Sequence, residues 1–222
     1  VALLGAATGA GRLYDVDVRL RPDGAKGLLV SSLSSYRDYQ LERAWTWEHQ
    51  ALVRARGVAG DESLLAEFDA IRALTLSQSR ETRKLQEEVG SMRLKMRAEL
   101  DRSDAARFDL KQGAGGLVDL EFLLQYLVLR DSSSHATLLR PRDTRGLVAA
   151  VRGAGLFDDA QAQALLQAHA TFLSEGLACT LDRRPRLVAE NEPIADAREA
   201  VRTSLRVHGL VFDLDKSDAT TL

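Results

Sequence analysis

Cysteine is almost missing from this sequence. Cys179 is the only one, which excludes a disulfide scaffold within the chain and makes a reducing cytoplasm the expected location. Long hydrophobic runs are missing as well. The longest apolar stretch, around residues 117–129, is broken by Asp119, Glu121 and Gln125 and is too short and too polar to span a bilayer. No signal-peptide pattern is read either. Neither sign of charge is in surplus, with 30 basic residues against 32 acidic ones and a formal net charge of -2. The chain therefore lacks the basic excess of a nucleic-acid binder and the polybasic run of a membrane-surface protein. The four histidines are scattered, with no pair at metal-ligand spacing. Nucleophile motifs of the G-x-S-x-G kind do not occur, and Cys179 sits in an apolar helical stretch with no base beside it. Internal repeats and low-complexity tracts are absent too.

What is present is an ordinary globular composition, 45% hydrophobic and 28% charged, enough for one large domain or two small ones. The opening run "VALLGAATGAG" reads as the end of a helix and its loop, cut from something longer. Strict alternation follows in "LYDVDVRLRPDG", residues 13–24, with Tyr14, Val16, Val18 and Leu20 on one side and Asp15, Asp17, Arg19 and Arg21 on the other. That period of two predicts a strand over residues 12–21, with "PDGAKG" as a turn and "LLVSS" as a short partner strand. From Ser34 the period becomes helical. The segment through "AWTWEHQALVRAR" predicts one or two helices, with Trp45 and Trp47 in the core, Glu48, Arg54 and Arg56 available for interdomain ion pairs, and a short strand near Val58.

After that nearly everything reads as helix. Asp61 caps a helix to about Leu76 with Leu64, Phe68 and Ile71 on one face. A helix from about residue 80 to 102 carries Leu85, Val89, Met92, Met96 and Leu100 as an apolar stripe, read as core packing. Further helices are expected near 116–131, 143–153, 158–183 and 193–207, followed by a frayed acidic tail, "VFDLDKSDATTL". The class is α+β, with a strand-bearing unit over residues 1–60 and a helical domain over 61–222.

Two stretches offer chemistry. On the strand, Asp15 and Asp17 stand on one face about 7 Å apart. Carboxylates so placed suit Mg²⁺, which takes one or two of them together with substrate phosphate oxygens, and Arg19 and Arg21 continue the line toward phosphates. The same line also suits a solvated hairpin face with cross-strand ion pairs, and spacing leaves both readings open. The second stretch is "FDLKQGAGGLVDLEFLLQYLVL". Gly113, Gly115 and Gly116 lead into a helix whose N-terminus attracts anions. A Walker P-loop is excluded, because Lys111 precedes the glycines and no Gly-Lys-Ser/Thr follows. This helix is apolar all round and therefore buried, which places Asp119 and Glu121 in the first turn of a central helix. Carboxylates there need a partner: a ligand site, or else helix capping and a buried ion pair with a nearby arginine. The two readings stand level.

Taken together, "GRLYDVDVRLRPDGAKGLLVSS", "YQLERAWTWEHQALVRAR" and "RFDLKQGAGGLVDLEFLLQYLVLR" resemble the bacterial glutamine synthetase adenylyltransferase family, whose members both add and remove AMP. The resemblance runs in order from about Gly11 to Arg202. It implies two related halves, each a DNA polymerase β-type nucleotidyltransferase domain followed by a helical domain. Residues 1–60 would then be the truncated C-terminal remnant of such a domain. Residues 61–222 would be a mainly α-helical bundle of the type that follows it here and in PII uridylyltransferase. "AWTWEHQALVRAR" resembles the adenylylating, C-terminal half.

The resemblance also assigns roles. Three strand carboxylates of the family hold two Mg²⁺ ions, and Asp17 matches the third of them. Asp15 stands where the family more often has glutamate, and the Gly-Ser…Asp-x-Asp segment bearing the other two carboxylates is expected upstream of residue 1. Arg19 and Arg21 match R-L-R and would contact nucleotide or brace the site. Lys111, Asp119 and Glu121 match K…G-G-x-x-D-x-E-F and would line the site or brace the domains. The implied activity is transfer of AMP from ATP to a tyrosine of glutamine synthetase with release of pyrophosphate, regulating nitrogen assimilation, the fragment alone being inactive. Mg²⁺ is the implied cofactor; glutamine synthetase, a PII signalling protein and ATP are the implied partners, with neither nucleic acid nor membrane. The alternatives are a helical binding or regulatory module that docks glutamine synthetase or a PII protein, and phosphorolytic removal of AMP.

Overall fold

A computed structural model of the chain describes residues 5–12, 16–18 and 20–212. Among them are eight α-helices and two antiparallel sheets of two strands each, an α+β class dominated by helix. The first sheet pairs β1 (Ala7–Thr8) with β2 (Gly11–Arg12). Beyond it the structure departs from the period-two pattern. Residues 16–18, 20 and 21 are not in a strand, and Val16 and Leu20 are exposed. "LLVSS" does not form the expected partner, with Leu28 and Val30 in solvent, and Val58 is likewise outside any strand. Alternation prepares a pleat, but a strand persists only with a neighbour to complete its ladder, and no described segment supplies one here. Residues 13–15 and 19 of the expected strand, and 213–222 of the expected tail, lie outside the described residues.

The helices are α1 (Leu33–Glu42), α2 (Thr46–Arg54), α3 (Glu62–Leu76), α4 (Thr82–Leu100), α5 (Leu117–Asp131), α6 (Thr144–Gly153), α7 (Asp159–Leu181) and α8 (Glu192–Val207). Most begin where a side chain satisfies a first-turn amide: Ser32 for α1, Asp61 for α3, Glu81 for α4, Asp143 for α6, Asp158 for α7 and Asn191 for α8. Leu64 and Leu100, expected on apolar faces, lie exposed.

Helix α5 is the axis of the molecule. From Val118 to Leu129 it is buried on every side except at Glu121, and it touches α2, α4, α6, α7 and α8. Around Leu123, Leu127 and Val128 are gathered Leu52 and Val53 of α2, Leu85 and Val89 of α4, Val148 of α6, Leu165 of α7 and Val201 of α8. Helices α1 and α2 lie against α3, and α2 also against α4 and α5. Arg72 of α3 reinforces this join. It is almost fully buried and donates to the carbonyls of Leu52 (2.9 Å) and Val53, at the end of α2, and of Leu139 (2.7 Å). The second sheet, unanticipated, pairs β3 (Arg107–Asp109) with β4 (Leu187–Ala189), with Phe108 opposite Val188. It ties the loop ahead of α5 to the link between α7 and α8.

Candidate functional site

Of the strand-borne candidates, Asp17 and Arg21 are described, while Asp15 and Arg19 lie outside the described residues. Asp17 is exposed to solvent. Arg21 folds back on its own loop, donating from Nε to the Gly27 carbonyl (3.2 Å) and from Nη1 to the Val18 carbonyl (3.2 Å). A Cβ at Gly27 would sit 1.8 Å from the Pro22 carbonyl oxygen, so this turn needs glycine there. Among the described residues no three His, Cys, Asp or Glu side chains converge as a metal site. Asp17 therefore belongs to no such cluster among the described residues.

Asp119 points inward. It is 1% exposed and accepts from Arg93 Nε (2.5 Å), Arg97 Nη2 (2.6 Å) and the Gly115 amide (2.7 Å). Arg93 has no exposed surface; its remaining donors go to the side-chain and backbone oxygens of Gln112 (3.2 and 2.7 Å). Arg97 also donates to the Phe212 carbonyl. Burial pushes the Arg93 pKa down, and the adjacent Asp119 carboxylate works against that shift. Gly115 holds the turn before α5 in the left-handed region (φ 81°), and a Cβ there would meet the Arg198 carbonyl oxygen at 2.7 Å. The carboxylate thus joins α4, the glycine loop and α5, with its oxygens directed at protein donors.

Two residues on, Glu121 emerges on the other side of α5 and pairs with Arg54 at the end of α2. His169 of α7 lies within their field: burial lowers its pKa, Glu121 opposes the shift, and Arg54 adds to it. Leu117, one turn before Glu121 on the same helix face, lines a groove of about 360 Å³ with Leu110, Lys111, Phe172, Leu173, Gly176, Leu177 and Arg186. Lys111 and Glu121 therefore belong to one side of α5, and Asp119 to the other.

A larger cleft, about 880 Å³, opens between the start of α2 and α4, lined by Trp45, Trp47, His49, Arg80, Lys84, Glu88, Met92 and Lys95 among others. Trp45 is 70% exposed, not part of the core as expected from its type. Below it Glu48 is buried and accepts from Tyr39 Oη and the Trp45 amide, both at 2.8 Å. His49 bridges Gln40 O (Nε2, 2.9 Å) and Arg80 (Nδ1, 3.2 Å). A carbonyl must receive a proton and a guanidinium must give one, so the ring is neutral with hydrogen on Nε2. Nothing in the sequence marks this cleft, because tryptophans in such a helical segment read as packing.

The chain is 65% identical over 212 residues, 96% of its length, to the bifunctional glutamine synthetase adenylyltransferase/adenylyl-removing enzyme of Stenotrophomonas maltophilia strain K279a. It belongs to that family. The same enzyme of Xanthomonas axonopodis pv. citri strain 306 is 58% identical over 98% of the chain, and that of Nitrosococcus oceani 45% identical over 86%. The chain spans 23% of the length of the first two of these relatives and 20% of the third. Residues 1–71 match the family model described as glutamate-ammonia ligase adenylyltransferase, and residues 83–175 that of the GlnD PII-uridylyltransferase. The adenylyltransferase match contains Asp17, Arg21, Trp45 and Arg54, and the uridylyltransferase match contains Arg93, Lys111, Asp119, Glu121 and His169. No helix among the described residues is long and apolar enough to cross a membrane.

Proposed function

We propose that this chain is the C-terminal, adenylylating part of a glutamine synthetase adenylyltransferase, the end of a DNA polymerase β-type nucleotidyltransferase domain with the helical domain that follows. It serves the transfer of AMP from ATP to a tyrosine hydroxyl of glutamine synthetase, releasing pyrophosphate in the cytoplasm. The observation that carries this reading is the 65% identity over 96% of the chain to an enzyme of that name. The direction of the reaction rests on the resemblance of "AWTWEHQALVRAR" to the adenylylating half.

In this reading Asp17 binds Mg²⁺ together with carboxylates supplied from outside the described residues, Asp15 standing beside it. Mg²⁺ supplies charge neutralisation to the polyphosphate and acidity to a phenol whose ordinary pKa is about 10. Asp17 would also accept the tyrosine proton as the oxygen attacks the α-phosphorus and pyrophosphate departs, a role that rests on its match to the family's strand carboxylate. Arg19 neutralises phosphate oxygens; for Arg21 the bonds to Val18 and Gly27 support the bracing role. Lys111 and Glu121 face the same side of α5 and line the approach to the site, while Asp119 braces the domain beneath. The second reading, a regulatory helical module that docks glutamine synthetase or a PII protein, is favoured by one observation: residues 83–175 match a PII-uridylyltransferase model.

The test joins the upstream residues of the Stenotrophomonas relative to this chain and supplies glutamine synthetase, Mg²⁺ and ATP labelled at the α-phosphorus. Label on a glutamine synthetase tyrosine, lost in Asp17→Asn, is expected. Undiminished label in Asp17→Asn removes the metal assignment. Release of AMP by orthophosphate without forward transfer assigns the opposite reaction.

A further inference from the structure

Helix α7 leaves an apolar stripe in solvent. Leu173, Leu177 and Leu181 follow one another at one-turn spacing and are 49%, 60% and 75% exposed. At 1.5 Å per residue they extend about 12 Å along the helix. Leu173 and Leu177 line the groove together with Leu110, Leu117 and Phe172, and Leu181 stands one turn farther along the helix. Gly176, between the first two leucines, keeps the floor open, and the Arg186 guanidinium lies across it, with Nε 3.8 Å from where a Cβ would be. Single exposed leucines need no explanation, but a line of them beside a groove does.

The charges at the groove are of one sign. Lys111 and Arg186 line it and no carboxylate does. Neither cation makes an ion pair with a described residue, whereas Arg54, Arg198 and Arg206 are matched by Glu121, Glu190 and Glu199. An apolar line about two turns long is more than a small ligand covers and fits the successive anchors of an amphipathic helix. Unmatched cations beside it call for carboxylates on the incoming surface. A second copy of this chain is the wrong occupant, because a two-fold contact would bring Lys111 and Arg186 toward their own equivalents. A bilayer is also a poor fit, since the groove is concave.

We propose that the groove between the start of α5 and α7 binds an acidic amphipathic helix of a separate protein, its apolar side chains on Leu173, Leu177 and Leu181 and its carboxylates on Lys111 and Arg186. This inference does not depend on the AMP-transfer reading, because its measurement is binding alone. The probe is a fluorescein-labelled synthetic helix with leucines at i, i+4 and i+8 and glutamates flanking them, titrated with the chain and followed by anisotropy. Binding in the micromolar range is expected, weakened by salt, and weakened about tenfold or more by Leu177→Asp and by Lys111→Glu with Arg186→Glu. The same helix with lysines for glutamates should bind about tenfold less well than the acidic one. All three substituted side chains are exposed, so circular dichroism should report an unchanged fold. Absence of binding, equal binding of the basic helix, or affinity unchanged in the variants overturns the proposal. So does a dimer in ultracentrifugation, or sedimentation with phosphatidylglycerol vesicles, that Leu177→Asp abolishes while the acidic helix stays unbound.

Discussion

Removing the Asp119 carboxylate would leave Arg93 wholly buried without its counter-charge. Breaking a buried pair from one side is among the costlier substitutions, so Asp119→Ala should lower unfolding free energy by about 3–5 kcal/mol, read from urea titrations. Glu121→Gln removes a partner from a pair whose arginine keeps 40% of its side chain in solvent, and should cost about 1 kcal/mol or less. A loss of AMP transfer by Glu121→Gln in the longer fusion, with stability intact, would give Glu121 a functional role; unchanged transfer would leave it a surface brace. At this scale the sequence was half legible. That Asp119 lies buried near the start of a central helix follows from the apolar sequence around it. That its partners are Arg93 and Arg97 does not, because periodicity counts every arginine as surface. The available signal was phase: Arg93 follows Val89 by one turn and lies within the same stripe as Met92 and Met96. Trp45 misled in the opposite sense, being aromatic yet exposed.

Element boundaries from α3 onward match the helical periodicity closely, because capping side chains and apolar stripes are local signals. The strands do not. β3 and β4 are three residues each and join segments far apart in sequence, leaving neither alternation nor a turn to read, whereas residues 16–18, 20 and 21 of the alternating stretch have no described neighbour to pair with. Two element-level joins can be tested. Arg72→Met should strand the carbonyls of Leu52, Val53 and Leu139, destabilising the chain by about 3 kcal/mol and loosening α2 in hydrogen exchange. His49 fastens α2 to α1 through Gln40 and to Arg80, and burial, the leading cause, lowers its pKa, the Gln40 carbonyl opposing and Arg80 assisting. With the folded pKa below the unfolded one, the unfolded chain binds more protons as pH falls beneath about 6.5. This contribution is full above that pH and fades on acidification through the folded pKa. Unfolding titrations at several pH values between 7 and 4 should show a shallower acid loss in His49→Gln than in the parent; equal slopes would mean that His49 does not drive the change.

For the molecule as a whole, the arrangement around α5 separates folding from chemistry. Helices from both ends of the chain, α2 and α8, share that axis, so the helical body should unfold in one cooperative transition with a helix-rich circular dichroism spectrum. Chemistry has the opposite dependence. In the proposed reaction Mg²⁺ would need several carboxylates converging on the phosphates, and among the described residues no three ligating side chains come together. On the proposed reading, a well-folded body alone does not complete that set of ligands. The 222-residue chain, purified free of the full-length enzyme and given glutamine synthetase, Mg²⁺ and α-labelled ATP, should transfer no AMP, while the fusion carrying the upstream strands should. Label incorporated in proportion to the concentration of the chain alone, and abolished by Asp17→Asn, would show that Asp17 with its immediate neighbours assembles a working centre, and that the further carboxylates assigned to the upstream segment are dispensable.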